Sequence, residues 1–174
     1  MNEDQAQAIV AIILLFVLLG ALFVPLTAFF GYVFFQTSKR KRIRERMLAT
    51  HQNLVGNRPW FPARYASQSR YDSWFKIFPW EGAGILVCAA GSVVFFGETN
   101  SGASVNVQFA PGNSTLEWIG KSPFPNGAVS WFVFRTPNGK DYFSSETGAF
   151  VFGSNRSTKE LFDEASKSFN NASS

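Results

Sequence analysis

The chain has 174 residues, 46% hydrophobic and 17% aromatic with 20 Phe, a composition that excludes a disordered chain. A single Cys, Cys88, excludes an intramolecular disulfide, and a single His, His51, leaves neither a zinc ligand set nor a Cys–His pair. The net charge of +4 conceals three regions: residues 1–38 carry −2, residues 39–80 carry +8 from ten Lys or Arg against Glu45 and Asp72, and residues 81–174 carry −2 from six against eight.

Residues 8–35 form an uncharged run of 28 residues. As a helix at about 1.5 Å per residue it reaches about 42 Å, more than the roughly 30 Å of a hydrocarbon core, and inside lipid only a helix satisfies every backbone group from within one segment. The sequence therefore predicts a transmembrane helix over 8–36 after a short extracytoplasmic N-terminus over 1–7. A secretory signal carries positive charge before a shorter apolar stretch, whereas here Glu3 and Asp4 precede a long one, so an uncleaved anchor is expected. Pro25 removes one helical hydrogen bond and predicts a bend. Phe29, Phe30, Tyr32, Phe34 and Phe35 crowd the last two turns, either as an aromatic belt or as a surface for other membrane helices or apolar cofactors. Gly20 and Gly31 lack the GxxxG spacing of a self-dimerising face.

Residues 37–80 read as a basic and aromatic juxtamembrane segment. Lys39, Arg40, Lys41, Arg42, Arg44 and Arg46 stand against one acid, Glu45. Lys and Arg beside a span stay on the cytoplasmic side, so the N-terminus is expected outside and the C-terminal domain in the cytoplasm, in a plasma or inner membrane. The sequons at Asn113, Asn155 and Asn171 matter only for the reverse topology. The cations suit anionic lipid headgroups, at about 1 kcal/mol for each one near the surface. A nucleic-acid site wants cations on the folded domain interleaved with stacking aromatics, so no nucleic acid is expected as a partner.

From 58 to 80 there are eight aromatics in 23 residues, opening with Trp60 and Phe61. Tyr71, Trp74, Phe75 and Phe78 fall at i, i+3, i+4 and i+7 and predict one face of an amphipathic helix, capped by Ser67 or Ser69 and ended by Pro79. Trp and Tyr favour the headgroup layer, so this face suits the bilayer surface; packing on the following domain or on a partner subunit uses the same residues.

Residues 81–169 read as a small antiparallel β-barrel or sandwich closed by a helix, followed by a tail over 170–174. Strands are predicted over 85–89, 92–98, 104–110, 115–121, 129–136, 140–144 and 149–152, seven in all, with short Val, Phe and Trp runs between turn residues. Val105, Val107 and Phe109 alternate with Asn106 and Gln108, as in a strand with one wet face. Pro111, Gly112 and Asn113 mark one turn, and Pro137, Asn138 and Gly139 a tight hairpin. Ser157 and Glu160 fit a capping box, after which Leu161, Phe162, Ala165 and Phe169 give a helix one apolar face to about residue 168.

Seven short strands and one amphipathic helix, carried by GILVCAAGSVVFFGE, VQFAPGNSTLEWIGK, FVFRTPNGKDYFSSE and STKELFDEASKSF, resemble the pleckstrin-homology-like and GRAM-like superfamily over residues 84–169. The resemblance implies a bent barrel plugged at one end by the helix. Lipid-binding members carry Lys and Arg around the loop joining their first two strands. On the strands predicted above, that loop is Ala89, Ala90, Gly91 and Ser92, with no cation, which speaks against inositol-lipid recognition and leaves protein interaction.

Phosphate-cradling motifs of the GxxxxGK[ST] and GxGxxG types are absent. His51 is expected to be solvated, Cys88 to be a buried small hydrophobe, and Asp163 and Glu164 to lie on a solvated helix face. No catalytic residue, metal, cofactor or small-molecule substrate is therefore expected. Two function classes remain: an accessory or assembly subunit bound to integral membrane protein partners, and a membrane-surface adaptor or sensor bound to anionic lipid headgroups. The contact residues expected for either are Lys39, Arg40, Lys41, Arg42, Arg44, Arg46, Trp60, Phe61, Tyr71, Trp74, Phe75 and Phe78.

Overall fold

A computed structural model describes residues 3–74, 78–121, 129–146 and 154–171. The chain forms two compact units, Met1–Ser38 and Lys39–Ser174. The first unit is helical throughout its described residues, as the apolar run predicts. Helix α1, Glu3–Thr50, contains Pro25 and is the one helix among the described residues long and apolar enough to cross a membrane, with a window of mean hydropathy 2.8 of which nothing is buried within the protein. It outlasts the predicted span because residues 37–50 are rich in Lys, Arg, Glu, Met and Leu, strong helix formers, and contain neither Gly nor Pro.

The second unit takes the last turns of α1, a single helical turn α2 (Gln52–Val55), and then β1 (Trp60–Ser67), α3 (Gln68–Asp72), β2 (Gly82–Ala89), β3 (Ser92–Thr99), β4 (Ser104–Phe109), β5 (Thr115–Lys121), β6 (Ser130–Thr136), β7 (Gly139–Ser145) and α4 (Ser154–Asn170). The strands make one antiparallel sheet in the order β4-β3-β2-β1-β7-β6-β5, which curls into a half-barrel. Period-two alternation sends Phe61, Ala63 and Tyr65 of β1, Leu86 and Cys88 of β2, Val93 and Phe95 of β3, and their counterparts on the other strands into one core. Leu161, Phe162, Ala165 and Phe169 of α4 pack into the same core, the helix face predicted for them. The opposite face of the sheet is covered in two patches. Ile43, Met47 and Val55 lie on Ile85, Val87 and Phe96, while Trp80, Tyr71 and Phe78 lie with Ala66, Trp131, Val133 and Tyr142.

This is the fold class the sequence predicts, an apolar N-terminal helix with a seven-stranded antiparallel domain closed by a C-terminal helix, but the strands are not all the predicted ones. Six coincide. The predicted strand at 149–152 lies outside the described residues, and β1, within the stretch read as juxtamembrane, stands in the middle of the sheet between β2 and β7. Pro62 argues against a central strand because it cannot donate to a ladder. It is tolerated because the pairing with β7 begins one residue later, at Ala63 with Ser145, and Pro62 O accepts from Glu146 N at 3.0 Å. The loop joining the first two strands is thus 68–81, not Ala89 to Ser92 as the predicted strands placed it.

Two helix predictions also change. Ser67 does cap a helix, accepting from Arg70 N at 3.4 Å, but α3 ends at Asp72, so Trp74 is not on it and Phe75 lies outside the described residues. α4 begins at Ser154, three residues before Ser157, and Thr158, inside the first turns, is buried with its Oγ1 accepting from Ser145 N at 3.1 Å.

Candidate functional site

The basic segment is built into the domain by helical periodicity. Arg40, Ile43 and Met47 fall at i, i+3 and i+7 on α1, and all three are buried. Ile43 and Met47 pack on the sheet, and Arg40, one turn back along the same stripe, enters the interior. On β1, Arg64 points to the side opposite Ala63 and Tyr65, and the sheet is covered there as well, so its side chain is 0% exposed. Glu146 follows β7 directly and is fixed by its backbone bond to Pro62.

These three side chains meet over the buried Trp80. Arg64 donates to Glu146 through Nε to Oε2 and Nη2 to Oε1, both at 3.3 Å, and Arg40 Nε stands 2.9 Å from the same Oε2. The Arg64 guanidinium lies 4.3 Å and the Arg40 guanidinium 5.4 Å from the Trp80 ring centroid. Among the described residues the cluster holds two cations and one anion, and both cations lie against an aromatic face, an arrangement that gains most when desolvated. Burial lowers the Arg40 pKa from its ordinary value; Glu146 opposes that shift and the neighbouring Arg64 charge adds to it. A guanidinium is a hydrogen-bond donor with no acceptor, so both Arg side chains point their donors at the one carboxylate. What the cluster does is tie α1, β1 and the end of β7 together.

A second polar pair, partly buried, lies on the core side of β1. Tyr65 Oη donates to Asp141 Oδ1 at 2.9 Å. Burial first, and Asp141 next, push the Tyr65 phenol up, while burial raises the Asp141 carboxyl against the opposing hydrogen bond from Tyr65. Cys88 is buried in the main core, as expected, and burial pushes its thiol up to about 12, with Glu164 adding to the shift and a hydrogen bond involving Ser168 opposing it. His51, expected to be solvated, is half-buried, its ring stacking on Phe96 at 3.9 Å between centroids. Among the described residues no three His, Cys, Asp or Glu side chains gather as metal ligands. A groove of about 420 Å³ between Leu54, Arg58, Val94, Phe96, Asn106 and Gln108 has one charged lining residue, Arg58.

The expected contact residues separate into three groups. Lys39, Arg40 and Arg46 are engaged by the domain: Lys39 Nζ donates to Asn100 O at 2.7 Å, and Arg46 Nη1 to Glu98 Oε2 at 2.8 Å. Arg40, at 2% exposed, is thereby corrected from a surface cation to an interior one, its charge directed at Glu146 rather than at headgroups. Phe61, Tyr71 and Phe78 pack on the domain itself, Tyr71 stacking on Tyr142 at 3.7 Å and Phe78 tilted against Trp80 at 5.1 Å. Lys41, Arg42, Trp60 and Trp74 stay exposed, Trp74 by 77%, and Arg44 is half-buried. The sequence reading missed Arg64, Trp80 and Glu146. The available signal was an Arg set among Ala63, Tyr65 and Ala66, where a solvated charge has no reason to be; nothing in the sequence pairs it with an acid 82 positions away. Compared with protein-family models, characterised proteins and solved structures, the chain finds no match in any of the three.

Proposed function

We propose that this protein is a non-enzymatic, single-pass accessory or assembly subunit of a larger membrane protein complex, with its N-terminus outside and its β domain bracing the cytoplasmic side. The observation that carries this reading is the apolar surface of α1. Phe16, Phe23, Phe29, Phe34 and Phe35 are each about half exposed or more, on a helix whose most apolar window the protein leaves uncovered. Lipid covers such a surface adequately, but a run this aromatic also suits packing against other membrane helices. The interior of the domain favours a binding rather than a catalytic role, since Arg64 is bonded to Glu146, Tyr65 to Asp141, and burial raises the pKa of its thiol.

The reading extends to a pleckstrin-homology-like identity for the domain, supported by the strand order and the closing helix. On that identity the first inter-strand loop is 68–81, where Arg70 is bound to its own chain, Nη2 donating to Phe78 O at 2.7 Å. Trp60, at 40%, and Trp74, at 77%, are exposed aromatics of the second unit and suit a partner's surface.

Mild-detergent purification from native membranes, with mass spectrometry of what accompanies the chain, tests the proposal. A fixed, stoichiometric set of integral membrane proteins, reduced by Trp74→Ser, is the expected result. Recovery of the chain alone or with lipid only would sink it. Trp74 is the residue to change because Phe78 also packs in the domain, where its loss would confuse docking with folding.

A further inference from the structure

Helix geometry divides the six cations of 39–46 into two sets. Arg40 lies on the buried stripe with Ile43 and Met47, and Lys39 and Arg46 flank that stripe closely enough to reach Asn100 and Glu98. At 100° per residue Lys41 and Arg42 fall on the opposite side, and both are exposed; Arg44 sits at the margin, half-buried. The acid on this outer side is Glu45, 3.8 Å from Lys41 with both side chains more than 60% exposed, a pair too solvated to neutralise the cation. Arg42 and Arg44 form no ion pair among the described residues.

The outer side therefore carries three cations and one acid, six to nine positions beyond Phe35, the last residue of the uncharged run. At helical rise that separation is about 9–14 Å of chain, and Lys and Arg side chains extend several ångströms further toward a polar layer. No aromatic lies among these cations to stack a nucleobase, as a nucleic-acid surface requires. We infer that Lys41, Arg42 and Arg44 form the centre of a binding surface for the phosphate groups of anionic phospholipids in the leaflet where the apolar run ends, while the buried Arg40 takes no part in it. The inference rests on the reading of α1 as a membrane span.

The test uses the full chain in vesicles of phosphatidylcholine and phosphatidylglycerol doped with spin-labelled forms of each lipid. The readout is the fraction of each lipid immobilised by the protein. Each cation at an anionic surface is worth about a fivefold preference, so immobilised phosphatidylglycerol is expected to exceed phosphatidylcholine about fivefold at low salt. The preference falls toward unity in 1 M salt, where screening acts within about 3 Å. The triple variant K41Q/R42Q/R44Q brings it close to unity, and R46Q, removing one cation that already has Glu98 as its partner, retains most of it. Circular dichroism confirms that both variants are folded. Equal immobilisation of the two lipids overturns the inference while leaving the span intact, and would turn the cation face toward an acidic protein partner. Absence of any immobilised lipid, with the protein released by alkaline carbonate, overturns the span and the inference together.

Discussion

Replacing Glu146 by Gln keeps the shape of the buried cluster and removes the negative charge that Arg40 and Arg64 share among the described residues. In the wild type the carboxylate receives two Arg64 contacts at 3.3 Å and faces Arg40 Nε at 2.9 Å, with the side chains of all three residues at most 3% exposed. Stripping the partner from a buried charge costs about 3–5 kcal/mol, because the remaining ion is left desolvated and uncompensated. Here two guanidiniums are left. Trp80 retains its attraction for both, worth up to about 2 kcal/mol when desolvated, so it softens their mutual repulsion but does not replace the anion. For a domain of this size about 4 °C of Tm accompanies each kcal/mol, so Glu146→Gln is expected to lower Tm by about 12–20 °C. The assay is thermal unfolding of the full chain in detergent micelles, followed by circular dichroism and by the fluorescence of the buried Trp80 and Trp131. Adding Arg40→Met to Glu146→Gln removes one stranded cation and should return a large part of the loss. Glu98→Gln, which deprives the 61% exposed Arg46 of its partner, should cost less than about 1 kcal/mol. If the Glu146 and Glu98 variants melt within 1 kcal/mol of each other, the cluster does not hold the domain together and the reasoning fails.

Two further outcomes follow from the β domain. Gly84 faces Gly97 across β2 and β3, and a methyl group added there would stand 2.6 Å from Gly97 Cα and against the Phe96 carbonyl, both of them backbone. Gly84→Ala should cost at least about 1–3 kcal/mol in denaturant unfolding, while Gly112→Ala, with nothing within 4 Å, should be nearly neutral; equal effects would contradict the close approach. Asp141 supplies a pH dependence. Burial raises its carboxyl above the ordinary 3.8, so the folded state holds the proton more tightly than the unfolded chain. Stability relative to Asp141→Asn should therefore fall as pH rises from 3.8 through the raised folded value, and level off above it. Denaturant midpoints of the two proteins across acid to neutral pH measure this, and a relative stability that climbs with pH over that window would show the sign to be wrong.

Elements with one repeating signal were legible. The uncharged run, the alternation of Val105, Val107 and Phe109, the Pro137-Asn138-Gly139 hairpin and the apolar face of α4 all stand as read, because each is set by periodicity or turn chemistry within a few residues. β1 was not legible because it breaks two strand rules at once. It carries Pro62, which only its place at the end of the β7 pairing permits, and Arg64, which looks like the wet side of an alternation that has no wet side. A strand covered on both faces gives no polar beat to read. Once β1 was missed, Tyr71, Trp74, Phe75 and Phe78 looked like an unattached helix face. With β1 in place, Tyr71 and Phe78 are within reach of Tyr142 and Trp80, and the helical spacing of the four aromatics ceases to mean a shared surface.

The charge of residues 39–80 was easy to count, yet the count alone says little about where charge acts. A total of +8 suggests one basic surface, but burial sorts its members by two different periods. The helical period puts Arg40 on the stripe of Ile43 and Met47, and the strand period puts Arg64 on the covered face of β1. Each Arg is tolerated inside because the other elements bring Glu146 and Trp80 to it, contacts spanning 82 positions of sequence in the case of Arg64 and Glu146. Lys39, Arg46 and Arg70 are then committed to Asn100, Glu98 and Phe78. An external anionic surface meets chiefly Lys41, Arg42, Arg44 and Arg58, so attraction to it should scale with that smaller set. Salt dependence of lipid preference is accordingly expected to reflect fewer cations than the ten of residues 39–80, since at least the buried Arg40 and Arg64 drop out of the count.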